Sequence, residues 1–250
     1  MSQVEYGPLA QYYELINEAC VPYDDQAAFV WAVLEEYGSG EGDVRVLDVA
    51  AGPGLLSKRM AAGGLNVVGF DLSEELVRQA HNKLPGRAIR ADMRVLPFGE
   101  RFDMACCLLH TINYMARDED LRSAFGEIAR ALKPGGLLVM DFIAYTPRSD
   151  WNAEWTETIL RGELKIETSH QQSADWRRMV ATDRHSYTVT DGDRTWEASG
   201  VDELRITSPG EIRQFAEAAG LDHLATTGKY RLNTALGYDG GAIVARKPSR

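Results

Sequence analysis

The segment VLDVAAGPG at residues 46–54 constrains what this chain can fold into more than any other feature of its sequence. A short apolar run of strand length leads into a turn that contains Gly52 and Gly54, and a helix-forming stretch follows at once. Glycine lets a backbone approach a ligand closely, and the start of a helix presents free N–H groups. The segment therefore predicts a strand, a ligand-binding turn and a helix in direct succession.

Further apolar runs of strand length alternate with helical patterns over the next ninety residues. The five predicted strands lie near residues 44–49, 66–71, 87–90, 102–109 and 136–143. Continuous apolar strands that alternate with helices are typical of a parallel sheet with both faces covered by helices. This part of the chain is predicted to be an α/β domain.

The pattern changes after residue 143. Residues 145–206 are polar and aromatic and contain alternating stretches, and DGD at 191–193 is a turn signal between two strand-like arms. A helix start, SPGE at 208–211, and two closing strands follow. We therefore predict one Rossmann-like domain from 1–144 and 207–250, with 1–40 as a helical lid, and an antiparallel β-rich cap inserted at 145–206.

Composition argues against several classes of partner. The chain has 27 basic and 37 acidic residues and a formal net charge of −10. Nucleic acids and anionic membranes, by contrast, bind proteins mainly through clustered Lys and Arg. No apolar stretch approaches the roughly 20 residues of a membrane span, and the first residues do not resemble a signal peptide. Three cysteines, an odd number, are expected to be reduced and buried. We expect a cytoplasmic protein with no nucleic-acid or membrane partner.

Three carboxylates at predicted strand ends distinguish between two cofactors. Gly52 and Gly54 nearly form the start of a dinucleotide-binding motif, but Asp48 would face a pyrophosphate unfavourably and suits a ligand's ammonium group. Asp71 ends the second strand, where a carboxylate accepts ribose hydroxyls in either cofactor. Asp92 can accept a hydrogen bond from an adenine amino group while Met93 packs on the adenine ring. Asp92 can equally be a turn residue or a helix cap.

Together these residues resemble the class I S-adenosylmethionine-dependent methyltransferases over about residues 9–143 and 203–247. The resemblance rests on Asp48 with its glycine loop, Asp71, ADM at 91–93, and LKPGG at 132–136. Ala50 stands where the family's loop usually has its first glycine. The resemblance implies a seven-stranded sheet of order 3-2-1-4-5-7-6 with strand 7 antiparallel. The cofactor contacts that it implies are Tyr13, Asp48, Ala50, Gly52, Gly54, Asp71, Leu72, Asp92, Met93 and Leu108, and the product would be S-adenosylhomocysteine.

Within this class the chain looks most like small-molecule enzymes related to the amino-sugar N,N-dimethyltransferases of antibiotic pathways. The segments LAQYYE at 9–14, LLHTINYM at 108–115 and the insertion carry this likeness. It suggests that the first helix folds over the cofactor with Tyr13 near the methionine end, where an aromatic ring favours a sulfonium. Ordinary helix packing is the alternative for Tyr13.

Methyl transfer from a sulfonium is an in-line displacement, and alignment alone supplies roughly 7–11 kcal/mol. An amine needs little more, whereas a phenol or alcohol needs a general base. His110 follows the fourth strand, at the edge where ligands bind in such sheets, and is the candidate base; it can equally be a cap. The candidate acceptor contacts are Asn113, Trp155, His185, Tyr187 and Tyr230. The aromatic side chains among them can instead form the insertion's own core or a homodimer interface.

The predicted function is methylation of a small-molecule acceptor, with an amine of specialised metabolism as the leading hypothesis. An O- or C-methyltransferase of a phenolic or polyketide-like acceptor is the alternative within the class. A non-catalytic scaffold or cofactor-binding protein is the alternative outside it, since a fold alone does not prove chemistry. No carboxylate cluster has convincing metal-ligand spacing, so no metal is expected.

Overall fold

A computed structural model describes residues 10–38, 42–144, 151–237 and 240–249 of the chain. The predicted helix start at Leu9, part of the predicted lid, and the first residues of the predicted insertion at 145–150 lie outside these ranges. The helices are α1 (Ala10–Cys20), α2 (Tyr23–Tyr37), α3 (Leu55–Ala62), α4 (Glu74–His81), α5 (Asp118–Ala131) and α6 (Pro209–Ala218). The strands are β1 (Arg45–Val49), β2 (Asn66–Asp71), β3 (Ala88–Arg90), β4 (Phe102–Cys107), β5 (Leu132–Phe142), β6 (Ala153–Arg161), β7 (Leu164–Asp175), β8 (Val180–Asp191), β9 (Arg194–Arg205), β10 (Asp222–Thr227) and β11 (Gly241–Arg246).

Seven of these strands form one sheet in the order β10-β11-β5-β4-β1-β2-β3. Five neighbouring strands run parallel to one another, namely β3, β2, β1, β4 and β5. Strand β11 runs antiparallel to both β5 and β10. Numbered along the chain without the inserted strands, this is the order 3-2-1-4-5-7-6 with strand 7 antiparallel. The predicted fold class is confirmed.

Both faces of this sheet are covered. In β1, Leu47 packs toward α5 and α6, while its neighbour Val46 packs toward α2, α3 and α4, and both are fully buried. Successive side chains of a strand point to opposite faces, so a strand buried on both sides is apolar throughout. This explains the continuous apolar runs of the sequence.

Local signals set the helix ends. Ser73 caps α4 by accepting a hydrogen bond from the amide of Leu76, and Ser208 with Glu211 forms the predicted capping box of α6. Helix α5 ends at Ala131 and β5 begins at once at Leu132, where its register with β4 shifts between Phe102 and Met104. The Pro-Gly-Gly sequence thus lies in an irregular start of the strand.

The remaining strands, β6 to β9, form an antiparallel four-stranded sheet in sequence order. Asp191 pairs with Arg194 across the predicted turn, and Gly192 there has a φ of +57°, which suits a tight hairpin. One face of this sheet packs on Ile16 and Tyr12 of α1. At the other end, Trp151 and neighbouring apolar residues pack on Ile143 at the end of β5. The inserted sheet therefore covers the main domain, while the exact domain boundaries stay a prediction.

The cysteines divide into two kinds. Cys106 and Cys107 are buried as predicted, but Cys20 is exposed and its thiol donates to Glu157, so its predicted burial is wrong. Its place at the last turn of α1, beside the edge strand β6, leaves it open to solvent. Across the described ranges, the helices lack either the length or the apolar composition that a bilayer crossing requires. In the same ranges His, Cys, Asp and Glu form no group of three or more suited to a metal ion.

Candidate active site

A cavity of about 570 Å³ opens at the carboxyl ends of the parallel strands. Ligands bind at this edge in open α/β sheets. The turns after β1, β2, β3 and β4 supply most of its wall, and α1 and α2 close it from the other side with Tyr13, Tyr23 and Gln26. The predicted cofactor residues that line it are Tyr13, Asp48, Ala50, Gly52, Asp71, Leu72, Asp92, Met93 and Leu108.

Two left-handed residues shape the turn after β1. Gly52 has a φ of +55°, and a Cβ added there would lie 4.0 Å from Tyr13 Cε1, so the turn faces the ring of Tyr13. Ala50, where the family's loop has glycine, adopts a φ of +56° despite its side chain. That conformation costs an L-residue roughly 1–2 kcal/mol.

Gly54 differs from the other predicted cofactor residues because it does not line the cavity. Its φ is +80°, and an added Cβ would lie 3.2 Å from the Cβ of Ala80 in α4. It also provides the N-cap position of α3. The geometry thus gives Gly54 a packing role between α3 and α4, and its predicted cofactor contact stays a prediction.

Asp71 joins the turns after β1 and β2. Its Oδ2 accepts the amide hydrogen of Gly52, and its Oδ1 accepts that of Ser73, both at 2.9 Å. Burial raises the pKa of Asp71, and these backbone hydrogen bonds oppose that shift. The carboxylate is therefore held in place at the wall of the cavity, in the position where a ribose would meet it.

Asp48 lies deeper, with 3% of its surface exposed. Its Oδ2 accepts a 2.5 Å hydrogen bond from Ser57 Oγ, and the thiol of Cys106 lies 3.6 Å from Oδ1. Burial raises the pKa of Asp48 to about 6, although the hydrogen bonds from Ser57 and Cys106 lower it. A buried carboxylate without a cationic partner favours a positively charged ligand at this end of the cavity.

The turn after β3 gives Asp92 the role of a turn residue at the cavity wall, and its contact with adenine stays a prediction. Arg94 donates to both carboxylate oxygens of Asp92, and these hydrogen bonds lower the pKa of Asp92. Asp92 also accepts the backbone amide of Arg94, as a turn residue does. Met93 is buried beside it, while Leu72 is 44% exposed at the rim. Both side chains line the cavity.

His110 does not line the cavity, although its neighbours Leu109 and Thr111 do. Leu109 and His110 both adopt left-handed backbone conformations, with φ values of 63° and 57°. Their amides donate to the two oxygens of Asp141, at 3.0 and 2.7 Å. His110 thus follows β4 as predicted, but its role as a base stays a prediction.

The predicted acceptor residues fall into three places. Asn113 is buried, and its side-chain amide accepts a hydrogen bond from the backbone N–H of Ile143 and donates to the carbonyls of Ile143 and Arg205. It therefore joins the end of β5 to the end of β9 and does not face the cavity. Tyr230 is hydrogen-bonded to Asp141 and Gln26 and lies behind the cavity wall. The predicted acceptor contacts of Asn113 and Tyr230 stay predictions.

The other three acceptor candidates share one face of the inserted sheet. Trp155, His170, His185 and Gly200 form a continuous row across its four strands. The rings of Trp155 and His170 stack with centroids 4.7 Å apart, and Tyr187 contacts both histidines. The structure therefore brings Trp155, His185 and Tyr187 together in one cluster.

Several residues of this region were missed by the sequence analysis. They are Gln26, Tyr114, Asp141, Asp183 and Asp202. A buried acid at the end of an apolar strand was a usable signal for Asp141, and the alternation of β8 and β9 was one for Asp183 and Asp202. Nothing in the sequence distinguished Gln26 from an ordinary helix residue.

Comparisons with known proteins agree with this geometry. Residues 46–136 match the family model described as a methyltransferase domain. A putative methyltransferase of Geobacillus sp. (strain WCH70) is 34% identical over 142 residues, which are 54% of this chain and 56% of that protein. A dTDP-4-amino-2,3,4,6-tetradeoxy-D-glucose N,N-dimethyltransferase of Saccharopolyspora spinosa is 37% identical over 97 residues, 38% of this chain and 39% of that protein. The chain thus spans about half the length, or less, of the curated relatives it matches.

The fold extends the likeness to nearly the whole chain. The sugar N-methyltransferase KedS8 from Streptoalloteichus sp. ATCC 53650 superposes with a TM-score of 0.82 at 22% identity, covering 95% of this chain and 93% of that one. The likeness to class I S-adenosylmethionine-dependent methyltransferases, including the amino-sugar enzymes, is therefore confirmed.

Proposed function

We propose that this chain is an S-adenosylmethionine-dependent methyltransferase of a small molecule and that it methylates an amine nitrogen. One observation carries the proposal: the cavity at the carboxyl edge of the sheet has most of its wall in the matched methyltransferase region and has carboxylates fixed at the ends of β1 and β2. Asp48 and Asp71 are these two carboxylates. The cytoplasmic location is part of the same proposal.

The polar groups of the cavity fit this cofactor. Gln26 is fully buried, and its Oε1 has no hydrogen-bond partner among the described residues, while its Nε2 donates to Tyr230. Together with Asp48 and Asp71, it gives the wall an excess of hydrogen-bond acceptors. A ligand with an ammonium group and ribose hydroxyls supplies the matching donors, whereas the pyrophosphate of a dinucleotide would meet the carboxylate of Asp48.

Each residue then has a distinct task. When bound, S-adenosylmethionine supplies a methyl group already activated on a sulfonium. Asp48 and Gln26 would hold the ammonium end, Asp71 the ribose hydroxyls, and Met93 with Leu72 the adenine ring. Tyr13 would present its ring near the sulfonium and, with α1, keep water out. The residues mainly align the acceptor with the methyl group, which is what this displacement requires.

Two observations support nitrogen rather than oxygen as the acceptor atom. The sugar relatives are N-methyltransferases by name, and the inserted sheet carries a pair of facing carboxylates, Asp183 and Asp202. An O-methyltransferase needs a general base, and its candidate, His110, lies outside the cavity wall. C-methylation is the remaining alternative.

The first test is calorimetric titration with S-adenosylhomocysteine, with NAD as the ligand control. We expect micromolar binding of the nucleoside, no binding of NAD, and loss of at least tenfold in affinity on Asp71→Ala. Asp222→Ala, an exposed acid on the edge strand β10, is the matched control and should bind like the wild type. Undiminished binding by Asp71→Ala would refute the proposed site.

The second test separates the acceptor classes. Formation of S-adenosylhomocysteine is measured with a panel of cyclic amines and a size-matched panel of phenols and alcohols. Turnover with amines alone is the expected result. Turnover with phenols that disappears in His110→Ala would instead establish the O-methyltransferase alternative.

A further inference from the structure

The inner face of the inserted sheet carries a pair of carboxylates that the cofactor cavity does not use. Asp183 of β8 and Asp202 of β9 are direct cross-strand partners. Their side chains are only 18% and 15% exposed. Like charges directly opposite one another destabilise a sheet, and burial makes the repulsion stronger. Such a pair is expected where a cation is to be bound.

Among the described residues, the ion-pair partners that the structure gives these carboxylates are histidines. His170 Nδ1 lies 3.2 Å from Asp183, and His185 Nδ1 lies 3.7 Å from Asp202. The pKa of Asp202 is raised, first by burial, although the nearby His185 and a hydrogen bond from Tyr114 oppose the shift.

The same face has buried oxygens with unused hydrogen-bonding capacity. Within the part of the chain that the structure describes, the buried Asp183 Oδ1 has no hydrogen-bond partner, and neither does the hydroxyl of Thr168, whose residue is 2% exposed. Thr168 precedes His170 by two positions in β7, so both project from one face of the sheet. Buried polar atoms are normally satisfied, so these oxygens point to a ligand with hydrogen-bond donors.

Tyr114 connects this face to the cofactor cavity. It lines the cavity and its hydroxyl is hydrogen-bonded to Asp202. Tyr13, from the opposite wall of the cavity, lies close enough to both Tyr114 and Tyr187 to raise the pKa values of their hydroxyls. The carboxylate pair is therefore next to the region where the methyl group would be presented.

We infer that Asp183 and Asp202 bind the protonated amine of the methyl acceptor and that one of these carboxylates accepts its proton before the neutral nitrogen attacks the methyl group. The rings of Trp155, His170 and Tyr187 then contact the ring or apolar body of the acceptor. An ammonium offers three N–H donors and a full positive charge, which matches the excess of acceptors and of negative charge on this face. Aromatic faces beside the carboxylates add cation–π attraction. This inference rests on the proposed function, since it assigns the acceptor site of that methyltransferase.

The test follows the imidazole Hε1 resonances of His170 and His185 by NMR. The chain has five histidines, so single His→Gln variants assign the signals. Cyclohexylamine and the neutral, size-matched cyclohexanol are titrated into the full chain with S-adenosylhomocysteine present. We expect the amine to shift both resonances saturably and the alcohol to leave them nearly unchanged.

Two variants and a control complete the experiment. Asp183→Asn and Asp202→Asn should weaken amine binding by about 10- to 100-fold, whereas Asp222→Asn should not change it. Equal responses to the amine and the alcohol, the absence of a saturable shift, or wild-type amine binding by both variants would overturn the inference. Calorimetry on the same samples keeps the two proposals apart: failure to bind S-adenosylhomocysteine counts against the proposed function, and a failed histidine response counts against the amine site alone.

Discussion

Tyr230 donates a hydrogen bond of 2.8 Å from its hydroxyl to the carboxylate of Asp141, which lies 89 positions earlier in the chain. Asp141 is completely buried at the end of β5 and also accepts the amides of Leu109 and His110. Gln26 of α2 in turn donates to the Tyr230 hydroxyl. One carboxylate thus joins the lid helix, the loop after β10 and the left-handed turn that lines the cavity.

Asp141→Ala should lower the free energy of unfolding strongly. Two backbone amides and a phenol would lose their acceptor inside the protein, and each unsatisfied group costs roughly 1–3 kcal/mol. Tyr230→Phe should cost less, roughly 1–3 kcal/mol, because Asp141 keeps its two backbone donors while the buried amide of Gln26 loses its acceptor. Urea unfolding monitored by circular dichroism measures both, with Tyr37→Phe at the end of α2 as control. Equal losses for the two variants would contradict this division of roles.

The raised pKa of Asp48 predicts a pH dependence of stability. Its pKa is about 6 in the folded chain against 3.8 for the free side chain, so the folded state takes up a proton before the unfolded state does. The wild type should therefore gain stability relative to Asp48→Asn as the pH falls from about 6 to about 4, by about 3 kcal/mol. The favourable contribution of Asp48 is complete below the pKa that it has in the unfolded chain, and it is lost as the pH rises through 6.

Unfolding free energies of the wild type and Asp48→Asn between pH 4 and pH 8 test this prediction, because the difference removes the titration of all other groups. Ser57→Ala provides a second check. It removes a hydrogen bond that lowers the pKa of Asp48. The pH range over which the folded chain gains stability should therefore move to higher pH. A difference curve that is flat between pH 4 and pH 6 would show that Asp48 titrates normally.

The sequence was sufficient for the main sheet because its signals are local and periodic. The strands are buried on both faces and are therefore continuous apolar runs, and Ser73 and Ser208 mark helix starts by their own hydrogen bonds. The carboxylates Asp48 and Asp71 were predictable for the same reason, since each ends a strand at the edge where ligands bind.

The sequence was not sufficient for contacts between distant segments. Asp141 meets Leu109 and His110 only because β4 and β5 are neighbours, and Asp183 faces Asp202 only through the register of β8 with β9. His110 shows the same limit. Its position after β4 was predictable, but the left-handed turn held by Asp141 keeps it out of the cavity wall.

Gly52 and Gly54 are two positions apart, yet their substitution should have different consequences. Both have positive φ, so alanine at either position costs roughly 1–2 kcal/mol. Gly54→Ala should cost more, because the new Cβ would lie 3.2 Å from Ala80 and force α3 and α4 apart. Gly52→Ala meets only open space beside Tyr13, inside the cavity. We expect it to weaken binding of S-adenosylhomocysteine more than it lowers stability, as measured by calorimetry and urea unfolding on the same pair of variants.

Asn113 provides the sharpest distinction between a structural residue and an acceptor contact. Its side chain accepts the amide of Ile143 and donates to the carbonyls of Ile143 and Arg205, so it fixes the turn after β4 against the ends of β5 and β9. Asn113→Ala leaves buried backbone groups unsatisfied and should cost about 2–4 kcal/mol in unfolding free energy. Asn113→Asp keeps the acceptor but places a buried carboxylate against the carbonyl oxygens of Ile143 and Arg205, so it should not recover this stability near neutral pH. If Asn113→Ala instead kept wild-type stability and raised only the KM for the acceptor, Asn113 would be an acceptor contact, as the sequence alone predicts.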